Sequence, residues 1–323
     1  MKLFLALTTV LSAAGAAPAI QRTFEDNDDT PLPLVIWHGL GDNFANPGIQ
    51  EVAALAEAVN PGTLTHIIKL GDSAAADRQA TFLGNLTEQV AQVCAELAAH
   101  PILSTAPAID ALGFSQGGQF LRAYVQRCNN PPVRNLVTFG SQHNGIVDFR
   151  ECGATDWLCK GAFALLRGNT WSSFVQSRLV PAQYYRNPAA DQYEKYLENS
   201  NFLADINNER VLKNKTYKEN IARLENLVLY MFEDDRLVIP KESAFFEEVN
   251  GTEITPLRAR KMYSEDWIGL RELDRKGGLH FKVTPGDHMT LPDSVLNETF
   301  KEYFGPMKTS KARGFARLGA DDL

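Results

Sequence analysis

The chain is short of several things that would point elsewhere. It has only four cysteines in 323 residues, Cys94, Cys128, Cys152 and Cys159, and no two of them form a C-x-x-C pair. Its six histidines fall at no zinc-ligand spacing either, so the residues offer no zinc site, and no cofactor is called for. Clustered Lys and Arg are absent from the body of the chain, and the formal net charge is −7. Phosphate contacts need such clusters, which excludes nucleic acid as a partner. After residue 17 no apolar run approaches the roughly 20 residues of a membrane-spanning helix, so no transmembrane segment is expected. No internal repeat is visible. What remains, at 44% apolar and 22% charged residues, has the composition of a soluble globular protein with a sizeable core. The length is large for one domain but within reach of an α/β fold carrying insertions.

The first 17 residues stand apart. Met1-Lys2 supplies a positive start, Leu3–Leu11 a short apolar core, and Ser12–Ala17 a run of small residues. That is the pattern of a secretory signal peptide, too short to span a membrane. Residues 18–30 are polar and acidic and are expected to form a flexible arm. In an oxidising compartment an even cysteine count suggests two disulfides, with three possible pairings. Cys152 and Cys159 are close enough to staple one loop. Cys94 and Cys128 each sit late on the apolar face of a predicted helix and could join neighbouring helices. Asn85, Asn214, Asn250 and Asn297 head N-x-T glycosylation sequons.

One stretch organises the rest. An apolar run ending at Leu112 meets Gly113-Phe-Ser-Gln-Gly117, a G-x-S-x-G. A predicted amphipathic helix follows, with Phe120, Leu121, Tyr124, Val125 and Cys128 on one face. Strand, sharp turn and helix are the context in which this motif presents a serine, Ser115, as a nucleophile at the top of a sheet. The competing reading is a Gly-rich strand-to-helix turn whose serine only caps the helix.

Around it, short apolar runs alternate with helical stripes. Leu34–Trp37 reads as a strand buried on both faces, followed by the Gly-rich His38-Gly-Leu-Gly-Asp42. Glu51–Val59 reads as a helix, Thr65–Leu70 as a strand, and Leu86 to Leu97 as a helix. Val133–Phe139 and Leu227–Phe232 are further strands, and the last lies around His280–Val283, before a closing helix carrying Val295 to Tyr303. Such alternation means βαβ units and a mainly parallel sheet. It breaks between about residues 145 and 224, where aromatic and helical segments replace strands. An insertion there is expected to form a largely helical cap near the active-site loops. The tail from 306 to 323 is polar and basic and reads as disordered.

Ser115, an acid and a histidine then fall at strand ends in the chain order Ser, acid, His, the order of the α/β-hydrolase fold. A serine hydroxyl needs a base within reach, and the base needs an orienting carboxylate. Among the histidines, His66 and His280 lie in strands and His100 follows a helix. His38 and His143 precede the acid, which leaves His288, beyond the last strand, as the base. For the acid, Asp235 and Asp234 compete, with Glu233 third. The oxyanion donors expected are the backbone N–H of Gln116 and one near Leu40.

With these pieces in view the chain resembles the lysosomal palmitoyl-protein thioesterases, in their type 1 branch. The likeness rests on Pro31–Asp42, Gly113–Ala123, Gln126–Cys128, Phe202–Asn207 with Glu209-Arg210, Tyr263–Asp274 and Gly286-Asp287-His288. It spans about residues 31–305, read as a single α/β-hydrolase domain with its cap. The resemblance implies hydrolysis of fatty acyl thioesters, typically palmitoyl, on cysteines of S-acylated proteins or peptides, in a lysosome- or vacuole-like compartment or after secretion. It places the nucleophile at Ser115 and the base at His288, and it aligns Asp235 rather than Asp234 with the acid. It implies disulfides Cys94–Cys128 and Cys152–Cys159. Leu40 stands where the family often has methionine. Phe44-Ala45 replaces a Cys-Cys pair of mammalian members, and the basic tail runs past the usual end. The competing readings are a secreted lipase or esterase acting on oxygen esters, and a catalytically inactive hydrolase fold that binds lipid.

Overall fold

Leu34–Trp37 (β1) is apolar at every position, and each residue is buried because both faces of the strand are covered. Val35 and Trp37 point into one core, Leu34 and Ile36 into the other, as the two-residue period of a strand requires. The computed structural model describes residues 29–148, 157, 160, 161, 164 and 169–307. The expected signal peptide, nearly all of the arm and the tail from 308 lie outside them. Thr65–Ile67 (β2), Ile109–Phe114 (β3), Val133–Phe139 (β4) and Asn226–Phe232 (β5) follow. Glu248–Asn250 (β6) and Glu253–Thr255 (β7) form a separate antiparallel hairpin, and Leu279–Thr284 (β8) completes the main sheet. The six strands run in the order β2-β1-β3-β4-β5-β8, and every pairing is parallel. This is the architecture expected of an α/β-hydrolase.

One face is covered by Pro47–Val59 (α1) and the closing helix Asp293–Tyr303, through Ile49, Ala53, Ala56, Leu296 and Phe300. The other carries Leu86–Ala99 (α3) and Gln116–Arg127 (α4), with the short Ala74–Ala80 (α2) ahead of them. Helix α1 starts earlier than its apolar stripe suggests. Asn46 caps it by accepting from the Gly48 N–H, and Pro47 sits in the first turn, where no N–H is missed. The second strand stops at Ile67 rather than Leu70, because the Leu70 N–H bonds the Asp77 carboxylate instead of a neighbouring strand.

Helix α4 departs further from expectation. The sequence gives it one apolar face, yet every residue from Gln116 to Gln126 is buried. The reason is the insertion after β4, which covers the outer side with polar contacts as well as apolar ones such as Phe202 on Phe120. Arg122 donates to the carbonyls of Ile206 and His143 and to Asn207 Oδ1. Gln126 Nε2 reaches the same Ile206 carbonyl at 2.6 Å. The insertion contributes helices at Ser173–Arg178, Ala190–Asn199, Leu203–Ile206 and Lys215–Arg223, and no strand among its described residues.

Inside that region a buried ion pair, Arg186 to Glu209 at 3.1 Å, collects Tyr193, Tyr196 and Asn207 around one carboxylate. Burial pushes the Glu209 carboxyl up, but Arg186, Arg260 and these donors outweigh it and hold it below its ordinary value. Cys94 on α3 and Cys128 at the end of α4 form a disulfide across a Cα separation of 6.0 Å. Cys152 and Cys159 lie outside the described residues.

Candidate active site

Ser115 sits between β3 and α4 with φ 51° and ψ −123°, a conformation that side-chain-bearing residues seldom adopt. The glycines make that turn possible. A methyl group at Gly113 would stand 2.2 Å from the Gly118 Cα, and one at Gly117 would stand 2.3 Å from the Trp37 carbonyl oxygen. Both distances are impossible for real side chains, so the motif's glycines are there for close packing of strand, turn and helix. Ser115 lies at the N-terminus of α4, where the first backbone N–H groups have no partner within the helix.

His288 follows β8 on a loop pinned from two sides. Asp287 Oδ1 accepts from the His288 N–H at 2.8 Å and from the Arg236 N–H at 3.3 Å. The imidazole Nε2 then stands 3.0 Å from Ser115 Oγ, and Nδ1 stands 2.7 Å from Asp235 Oδ2. The other Asp235 oxygen accepts from the N–H groups of Leu237 and Val238, at 2.9 and 3.0 Å. A carboxylate can only accept, so Nδ1 carries the proton and Nε2 presents a lone pair to the serine. The side chains of His288 and Asp235 are 6% and 2% exposed. Glu233 and Asp234, the rivals for the acid, are exposed. The backbone N–H of Asp234 bonds the Gly286 carbonyl.

The other five histidines are engaged elsewhere. His38 bonds Asp77 at 2.9 Å, His66 faces Glu96 at 3.3 Å, and His280 bonds Asn226. His100 accepts the N–H groups of Ile102 and Leu103. His143 is stacked on Phe246 and bonded to Thr138; burial, then the nearby Arg122 charge, drives its pKa well below the ordinary value.

The expected oxyanion loop lies against the serine. A methyl group built on Gly39 would come within 3.2 Å of Ser115 Cβ, so this loop packs closely against the serine. Leu40 follows it, and Gln116 begins α4 on the other side. The Gln116 side chain is tied between the Thr81 carbonyl and the Tyr184 hydroxyl.

A cleft of about 1280 Å³ opens at Ser115 and His288. Leu40, Phe82, Phe114, Ile146, Tyr184 and Val238 line it, and Val52, Leu55, Met289 and Leu291 extend it along α1 and the closing helix. The described part of the cap contributes little of this wall. Its aromatics pack mostly on one another and on α4, as Trp171 does on Tyr185 and Tyr196, and Phe202 on Phe120. Phe82 escaped the sequence reading, since it belongs to neither a motif nor the insertion, and Leu237 and Val238 were legible only as neighbours of the acid.

Two sequon asparagines, Asn85 and Asn214, cap helices through their side-chain oxygens. Asn250 stands in the β6–β7 hairpin, and Asn297 lies within the closing helix. Among the described residues, no helix is long and apolar enough to cross a membrane.

A family profile described as palmitoyl protein thioesterase matches residues 33–288. Palmitoyl-protein thioesterase 1 of Caenorhabditis elegans is 41% identical over 283 residues, covering 86% of this chain and 93% of that one. Palmitoyl-protein thioesterase 3 of Dictyostelium discoideum is 34% identical over 275 residues, 84% of this chain and 89% of its own. Lysosomal thioesterase PPT2 of Homo sapiens is 29% identical over 272 residues, 82% of each chain. The matched span carries the serine, the acid and the histidine together with the parallel sheet that brings them within hydrogen-bonding distance. The chain belongs to the palmitoyl-protein thioesterase family.

Proposed function

We propose that this protein hydrolyses long-chain fatty acyl thioesters on the cysteines of S-acylated proteins or peptides. Ser115 is the nucleophile, His288 the base, Asp235 its orienting acid, and Leu40 and Gln116 the backbone oxyanion donors. The observation that carries the reading is the unbroken chain from Asp235 through His288 to Ser115, opening onto an apolar cleft.

Ser115 Oγ attacks the thioester carbonyl carbon as its proton passes to His288 Nε2. Asp235 stabilises the imidazolium that forms. The carbonyl oxygen becomes an oxyanion resting on the Leu40 and Gln116 N–H groups, each worth about 2.7–4 kcal/mol in the transition state. Collapse of the intermediate breaks the C–S bond, and the departing cysteine sulfur takes the proton from His288. A water molecule then gives a proton to His288 as its oxygen attacks the acyl-enzyme. The second collapse returns that proton to Ser115 and frees the fatty acid.

The cleft supplies affinity without a charged anchor. At about 0.8 kcal/mol per buried methylene, an acyl chain laid along Leu40, Phe82, Tyr184 and Val238 binds by its length. Among the described residues, the cap's share of that wall is Ile146 and Tyr184. The family's lysosomal relatives and the N-terminal pattern support action within the secretory route, in a lysosome or vacuole. The test compares kcat/KM for palmitoyl-cysteine with the matched serine oxyester. A thioester preference is expected; a large oxyester preference would make the protein a lipase or esterase instead.

A further inference from the structure

We propose that Asp77 is a positioning residue for the oxyanion loop, and that α2 is the clamp that sets the Leu40 N–H against the reacting carbonyl. The inference rests on the reading of Leu40 as an oxyanion donor and adds to it the element that holds that donor in place.

The loop from His38 to Phe44 leaves β1 with two glycines around Leu40, and its internal bonds are short-range: Asp42 N–H to the Gly39 carbonyl at 3.3 Å, His38 Nδ1 to the same carbonyl at 3.3 Å, and Asn43 N–H to Asp42 Oδ1 at 2.8 Å. Its shape is imposed from α2. Asp77 Oδ2 meets His38 Nε2 at 2.9 Å and accepts the Phe44 N–H at 2.8 Å, so one oxygen grips the loop on both sides of Leu40. Asp77 Oδ1 accepts the Leu70 N–H at 2.7 Å, which anchors the carboxylate to the segment after β2. Between these points Gly41 is held twice. Its N–H donates to Thr81 Oγ1 at 2.9 Å, and its carbonyl accepts from Arg78 Nε at 3.0 Å. The loop's neighbours on either side of the donor are therefore fixed by three residues from one turn and a half of chain.

Two further features fit this role. Asp77 is fully buried in the first turn of a short helix, where burial pushes its carboxyl up, but the His38 bond and the Leu70 and Phe44 amides together hold it below the ordinary range. Gly71 permits the close approach of α2, since a methyl group there would stand 2.7 Å from the Asp77 N–H nitrogen. The same chain turn also reaches the other donor, because the Thr81 carbonyl accepts from the Gln116 side chain at 3.4 Å.

Asp77→Asn tests the clamp with little change of volume. Asparagine has one acceptor and one donor end. Whichever way it turns, a backbone N–H, that of Leu70 or of Phe44, meets an NH₂ group instead of an oxygen. The full chain is assayed with palmitoyl-cysteine, and rates are expressed per active site titrated with a fluorophosphonate. We expect kcat per site to fall about 10–100-fold with KM changed less than threefold. The Ki of a palmityl trifluoromethyl ketone, whose adduct places an oxyanion in the hole, should rise by the same factor as kcat/KM falls. The Ki of a palmityl thioether, which forms no oxyanion, should stay constant.

Thr81→Val and Thr81→Ser form the second arm and decide the matter if Asp77→Asn does not fold. Valine removes the acceptor for Gly41 and should lower kcat and ketone affinity together, while serine restores both. The proposal is overturned if kcat per titrated site stays within twofold in both loss variants. It is equally overturned if ketone and thioether affinities weaken in step, which marks a merely structural role. Wild-type enzyme inactive on every acyl thioester would instead refute the thioesterase reading.

Discussion

Replacing Asp235 by asparagine should convert His288 from an acceptor into a donor. One Asp235 oxygen takes two backbone N–H groups, Leu237 at 2.9 Å and Val238 at 3.0 Å. An NH₂ group cannot satisfy either, so the asparagine oxygen stays there and its NH₂ turns to His288 Nδ1, 2.7 Å away. That nitrogen must then offer a lone pair, which moves the ring proton to Nε2, facing Ser115 Oγ at 3.0 Å. The imidazole can no longer accept the serine proton, and no anion remains to stabilise an imidazolium. A wrong-tautomer substitution of this kind costs about 10⁴ in kcat, equivalent to about 5.4 kcal/mol of barrier. KM should change less than threefold, because Asp235 is turned away from the cleft wall. The assay is palmitoyl-cysteine hydrolysis per folded molecule, with Asp234→Asn as control; its exposed side chain predicts activity within twofold of wild type. Asp235→Asn enzyme retaining a tenth of the wild-type kcat, or an Asp234→Asn enzyme losing more, would refute the reasoning.

Other outcomes follow from the same geometry. Gly117→Ala forces a methyl group to 2.3 Å from the Trp37 carbonyl and 2.5 Å from that of His38; it should abolish turnover or folding, read by activity and circular dichroism. Shortening the acyl chain by two methylenes should lower kcat/KM by about 15-fold while the cleft is being emptied, from about 1.6 kcal/mol of lost burial; a flat length series would deny the cleft an acyl role. Removing the Cys94–Cys128 disulfide, which closes a separation of 34 residues, should cost about 3–4 kcal/mol in denaturant unfolding. The Glu209 carboxyl, held below its ordinary 4.5 by Arg186 against the pull of burial, stabilises the fold above that pH and loses this contribution as pH falls through its folded value. Thermal melts should therefore hold between pH 7 and 5 and drop below about 4.5; Glu209→Gln, which leaves the buried Arg186 with Glu248 as its one carboxylate partner, should melt lower at neutral pH.

Much of this was legible in the chain because the signals were local. The nucleophile turn declares itself through Gly113 and Gly117, whose lack of a side chain is needed within a few residues of Ser115. Strands β1 and β5 are apolar at all or nearly all positions, as suits strands covered on both faces, whereas β4 and β8 each carry three polar residues. The choice of Asp235 over Asp234 was not local. It depends on which of two adjacent carboxylates the Leu237 and Val238 amides turn toward His288, and the family likeness rather than the residue pattern anticipated it.

The clamp was illegible for a related reason. Nothing in Ser73–Thr81 has a strong apolar stripe, and Asp77 gains its meaning only from His38, Phe44 and Leu70, which fold brings from three separate segments. Helix α4 was under-read because Arg122 and Gln126, polar by type, are buried by the cap's carbonyls. The cleft wall was illegible because it is built from single residues of many elements, while the described cap aromatics pack on one another and on α4.

The central claim is that Ser115 attacks a fatty acyl thioester. Its most direct test is intact-protein mass spectrometry of enzyme quenched during turnover of palmitoyl-cysteine. The account predicts a palmitoyl adduct mapped to Ser115, absent from Ser115→Ala, whose kcat falls by at least about 10⁴. Turnover of the thioester at the wild-type rate by Ser115→Ala, or an adduct on another residue, would contradict it.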